Sequence, residues 1–157
     1  MAQHKEDAEL LRSCLVVGIA SVERVVAWAD SIVAAESVID PGIIEISLSG
    51  NKTSAELVSL LHAVAGEANS ERVMRRLLGE MYLKLKSQPD MGESIAASLY
   101  QLRCNGDIPE EAFGWEPYAL SDTFHVARAC GHCGNLGAPE DLIDYLIRHA
   151  IIDDTMA

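Results

Sequence analysis

Apolar residues recur at helical spacing along almost the whole chain. Val22, Val25, Val26, Ala29, Ile32 and Val33 follow the i, i+3, i+4, i+7 rule behind Ser21, a good N-cap, and predict a helix over about 21–36. Asp40-Pro41 marks a new start, because a proline's missing N–H would have no partner in a first helical turn anyway; a short helix is expected from there, ending before Gly50. Thr53 stands three residues before Glu56, the spacing of a capping box, and Leu57, Leu60, Leu61 and Val64 form the stripe behind it. Ser70 is the candidate cap of a longer helix, with Met74, Leu77, Leu78, Met81 and Leu85 on one face. Its polar face carries Arg72, Arg75, Arg76, Lys84 and Lys86, the one basic stretch of the chain.

Beyond Pro89, Asp90 and Glu93 offer a further capping signal ahead of Ile95, Leu99 and Leu102. A helix is expected to begin at Pro109 and to be broken or kinked at Trp115-Glu116-Pro117, since proline disfavours helical geometry in the residue before it. Residues 121–129 read as helix, Gly131, Gly134 and Gly137 as a flexible connection, and Pro139 opens a last helix through Leu142, Ile143, Leu146, Ile147 and Ala150. The pattern predicts an all-α fold, a compact multi-helical bundle of about seven or eight helices forming a single helical domain over 1–157. A superhelical stacking of helix pairs is compatible with it, although no fixed-period repeat is present. Residues 43–48 are the only β-branched run, and form a strand instead if the Asp40-Pro41 signal misleads.

Charge narrows the function classes. Twenty-four Asp and Glu against twelve Lys and Arg give a formal net charge of −12, with 49% of residues hydrophobic and 5% aromatic. Such a chain is too apolar for intrinsic disorder and too acidic for a general nucleic-acid binder, which needs cations to displace counterions from phosphate. The N-terminal residues mix acids and bases, and the apolar run at 14–20 is far shorter than the roughly 18 residues of a membrane span, so neither a signal peptide nor a membrane partner is expected. The expected setting is cytoplasmic, with reduced thiols at Cys14, Cys104, Cys130 and Cys133.

Catalytic and metal chemistry find little support. Cys130-Gly131-His132-Cys133 resembles the active-site motif of thioredoxin-like disulfide isomerases, but Ala129 replaces that family's preceding Trp, and the residues before the motif read as helix rather than strand. A zinc site would have to be completed from His125, His132, His149 or Cys104, and no second pair stands at ligand spacing; buried cysteines at a glycine-capped helix end are the plainer account. Di-iron bundles need Glu-x-x-His pairs, whereas the chain offers Asp122-Thr123-Phe124-His125 alone. Phosphate-cradling loops and nucleophile elbows are absent, so no catalytic residue, metal or cofactor is assigned.

The acidity is unevenly distributed: residues 1–86 carry a net −3 and residues 87–157 a net −9. A one-signed field speeds encounter with a partner of opposite charge, though it also serves solubility alone. Trp115 lies among these acids in a segment flanked by Gly114 and Pro117, and Trp is the residue type most often found as an interface anchor. Burial in the core is the other reading of Trp115, and the expected one for Trp28. The residues selected for partner binding are Asp107, Glu110, Glu111, Trp115, Glu116 and Asp122, facing a basic protein.

One stretch suggests a family. Val25-Val26-Ala27-Trp28-Ala29-Asp30, residues 43–48, and Asn51-Lys52 ahead of the Leu57, Leu60, Leu61 stripe resemble a pattern in small helical bacterial proteins associated with immunity in contact-dependent and polymorphic toxin systems. The likeness covers about residues 22–66. It implies a non-enzymatic cytoplasmic protein that binds and blocks one cognate toxin, for which an acidic surface suits a basic toxin such as a nuclease. It carries over no toxin-contacting residue. The alternative from another class is a helical adaptor or regulatory protein acting through self-association as a homo-oligomer.

Overall fold

The computed structural model describes residues 2–130 and 138–152. Among these, nine α-helices and one 3-10 turn account for all the regular structure, and no strand occurs. Residues 43–48 are therefore helical or cap a helix, and the strand alternative is set aside. The chain divides into two compact units, Met1–Val73 and Met74–Ala157.

The first unit contains α1 (Ala2–Val16), α2 (Val22–Ala35), α3 (Pro41–Ser47), α4 (Ser54–Ala63) and the first residues of α5 (Ser70–Ser87). Its caps are local and specific. Ser21 accepts from the Arg24 N–H, and the Asp40 carboxylate accepts from Gly42 N at 2.7 Å ahead of Pro41. Thr53 N–H donates to Glu56 Oε2 at 2.8 Å while Glu56 N–H donates back to Thr53 Oγ1, closing the capping box. Helix α5 departs from expectation: Asn69 Oδ1, not Ser70, accepts from the first turn at Arg72 N. The core joins Ala8, Leu11 and Leu15 of α1 to Val25, Ala29, Ile32, Ile43, Ile46, Leu57 and Leu61, with Trp28 packed only partly buried against it.

Helix α1 was not legible as a helix because its polar face is half-sunk. Lys5 is 8% exposed; its ammonium donates to the His62 carbonyl at 2.6 Å and pairs with Glu9 at 2.7 Å. Arg12 joins Glu9 from the next turn at 2.6 Å, and Arg72 pairs with Glu6. Burial pushes the Glu9 carboxyl up, but the hydrogen bonds from Lys5 and Arg12 outweigh it and hold the group below its ordinary value.

The second unit contains the remainder of α5, a 3-10 turn (Pro89–Met91), α6 (Gly92–Cys104), α7 (Glu110–Phe113), α8 (Glu116–Cys130) and α9 (Ala138–His149). The 3-10 turn stands where an Asp90 cap was expected, and α6 starts without a side-chain cap. Helices α6, α8 and α9 pack on one another. Gly79 of α5 lies against the segment after α9: a Cβ there would sit 2.1 Å from the Ile151 carbonyl oxygen, and Ile151 N–H donates to the Arg75 carbonyl at 2.8 Å. Helix α8 begins five residues before the expected 121, with Pro117 in its first turn rather than breaking it. The break is Gly114, whose φ of 73° is a conformation L-residues avoid.

Candidate functional site

The segment from Asp107 to Trp115 is shaped by one arginine and one glycine. Pro109, in extended conformation, precedes α7, whose single turn sends Phe113 fully inward and leaves Glu110 and Glu111 exposed. Arg103 reaches over from α6, donating to the Ile108 carbonyl and to Glu110 Oε2, the latter at 2.7 Å. Its guanidinium also lies over the Tyr118 ring, 5.5 Å from the centroid, and Tyr118 meets Tyr100 edge-to-face at 5.8 Å. The Tyr100 phenol is raised above its ordinary value, first by its hydrogen bond with the Cys104 thiol, with Asp122 contributing further down.

Gly114 then turns the chain into α8. Its N–H donates to the Glu110 carbonyl at 2.8 Å, and its missing Cβ leaves room for the Glu116 carboxylate, which would otherwise be 2.0 Å away. Between these two fixed points Trp115 projects outward, 61% exposed. Trp115 is therefore not buried in the core, one of the two readings left open by the sequence.

The six residues selected from sequence fall into two groups. Asp107, Glu111, Trp115 and Asp122 are exposed, and the three acids make no ion pair with a described residue. Glu110 is exposed but tied to Arg103, and Glu116 is half-buried and accepts from Arg148 of α9 at 3.0 Å. Asp107, Glu110, Glu111 and Trp115 share one short connection, while Asp122 stands on α8, one turn beyond Tyr118. All three cations of residues 87–157 are committed: Arg103 to Glu110, Arg128 to Glu93 and Arg148 to Glu116. The excess negative charge is thus displayed rather than neutralised within the described residues.

Sequence reasoning missed Arg103 and Tyr100, which with Tyr118 build the platform beneath Glu110. The signal available was the cation and rings at 100, 103 and 118, but nothing local brings α6 against α8. No group of three or more His, Cys, Asp or Glu is placed to hold a metal among the described residues. Gly131, His132 and Cys133 lie outside them; Cys130 closes α8, and His125 is exposed. No helix of the described residues is long and apolar enough to cross a membrane. No protein-family model, curated protein or solved structure matches the chain.

Proposed function

We propose that this chain is a non-enzymatic binding protein that engages a basic partner protein through the surface around Trp115. The observation that carries the reading is an exposed Trp115 between Gly114 and the first turn of α8, in the same connection as Asp107 and Glu111, exposed carboxylates that make no ion pair with a described residue. An exposed Trp supplies apolar contact area, and unpaired acids in the same segment steer and orient a cationic surface. The resemblance in residues 22–66 gives this partner a form: a basic toxin, such as a nuclease, whose cationic cleft the acidic surface covers as immunity proteins do.

The test is comparative capture from the source organism by the intact protein, Trp115→Ala and Asp107→Lys/Glu111→Lys, followed by co-expression of the captured protein with each. A basic protein retained by the wild type and lost by both variants, whose toxicity only the wild type relieves, is the expected result. Identical capture by all three forms contradicts the site, and a captured partner without toxicity contradicts the immunity form of the reading.

A second reading has its own observation. Ile44 and Leu48 lie four residues apart at the α3 end, with Leu48 78% exposed, an apolar pair that a second copy of the chain would cover. A solution mass of twice the chain that reverts to one chain in Leu48→Asp favours self-association; a monomeric wild type removes it.

A further inference from the structure

In the second unit, the segment that follows α9 is fastened to α5. Ile151 N–H donates to the Arg75 carbonyl at 2.8 Å, and the Ile151 carbonyl lies so close to Gly79 that a Cβ there would stand 2.1 Å from it. Arg75 also donates from Nη1 to the His149 carbonyl at 3.2 Å, so it grips the chain on both sides of Ala150. Its guanidinium lies over the Phe113 ring, 4.9 Å from the centroid.

The His149 imidazole is built into the same clasp. Its ring packs against Tyr145 at 4.8 Å and Phe113 at 5.9 Å between centroids, and its Nε2 is buried with no hydrogen-bond partner among the described residues. A neutral imidazole suits this place by carrying its one proton on Nδ1. An imidazolium carries protons on both nitrogens, and the one on Nε2 would be buried without an acceptor. Most of the surrounding charge acts in the same direction: Arg75 of α5 and Arg148 of α9 repel an imidazolium. Glu116 of α8 attracts it, but already accepts from Arg148 through Oε1. Arg103 of α6 acts on the neighbouring Tyr145, whose buried phenol stays protonated. Burial, the largest influence, holds His149 below its ordinary value in spite of Glu116.

We propose that His149 is an acid-operated release for this clasp: protonation of its ring frees residues 150–152 from α5. The ring and the clasp share Arg75, so the charge that an imidazolium adds falls beside the residue that fastens the segment. Release brings the ring to water, where both of its protons find acceptors. Opening is therefore favoured as pH falls below about 6.5, by at most about 10-fold per pH unit, until the docked ring itself takes up the proton. This device is separate from the Trp115 surface and does not depend on its partner.

The experiment follows amide hydrogen exchange of the full-length protein by NMR from about pH 7.5 to about pH 5, each rate divided by the intrinsic rate at that pH. Ile151 protection is expected to be steady above about pH 6.5 and to fall by up to about 10-fold per pH unit below it. It is also expected to be lower than that of Leu99, fully buried in α6, because the release leaves α6 packed. His149→Gln, which keeps a polar side chain without a titration, makes the Ile151 profile flat. Linkage requires the converse: Gly79→Ala, which crowds out the Ile151 carbonyl, moves the titration of the His149 ring protons up toward about 6.5. Ile151 protection indifferent to pH, a fall that persists in His149→Gln, protection equal to that of Leu99 throughout, or a His149 titration unmoved by Gly79→Ala overturns the proposal.

Discussion

Arg148 donates to Glu116 Oε1 at 3.0 Å, and this contact ties the last helix to the first turn of α8, next to the exposed Trp115. Both side chains are partly solvated, so replacing Arg148 by Met is expected to cost at most about 1 kcal/mol in denaturant unfolding.

Gly79 and Gly50 make a contrasting pair. Alanine at Gly79 collides with the Ile151 carbonyl, whereas at Gly50 no atom lies within 4 Å. Gly79→Ala is expected to lose about 1–3 kcal/mol, because backbone rather than a flexible side chain must move. Gly50→Ala stays within about 0.5 kcal/mol of wild type in the same urea titration.

The capping box at the start of α4 is a local device with a local cost. Thr53→Ala removes the acceptor for Glu56 N–H and leaves the Glu56 carboxylate without its hydroxyl donor. Loss of about 0.5–2 kcal/mol is expected on chemical denaturation.

Two pH windows follow from two depressed groups. Burial, the largest influence, lowers the His149 pKa below its ordinary 6.5, against the packed rings of Tyr145 and Phe113 and beside Arg148, Arg75 and Glu116. The unfolded chain then binds the extra proton more readily. This part of the stability is present above about pH 6.5 and is lost as pH falls through that value toward the folded pKa. His149→Phe is expected to flatten the stability profile there. Glu9 is likewise lowered, so its contribution is intact above about pH 4.5 and lost as pH falls toward its folded pKa, a drop that Glu9→Gln removes. Thermal melts across pH 3 to 7 read both windows.

What was legible in the sequence was what neighbours in sequence decide. Ser21, Asp40 and Thr53 cap the helices their spacing announces, because an N-cap needs only the next two or three residues. Helix α1 escaped because its polar residues hide its buried face: Lys5 and Arg12 pair with Glu9 within the helix, Arg72 is brought from α5 to Glu6, and the Lys5 ammonium also donates to the His62 carbonyl. Pro117 misled for a related reason: a proline ends one helix or begins another, and only the positive φ of Gly114 decides which. At the candidate site the acids and Trp115 were visible, but their division was not. Which carboxylates are paired depends on Arg103 and Arg148, brought from α6 and α9.

The claim that matters most is that Trp115 anchors a basic partner within an acidic field, and it is tested by the affinity of the captured partner for wild type and Trp115→Ala over a range of salt. Affinity that falls steadily with salt, with Trp115→Ala weaker by about 10-fold or more at every salt and unchanged in its own unfolding, is the predicted result. Equal affinities for the two proteins, or binding indifferent to salt, would contradict the account.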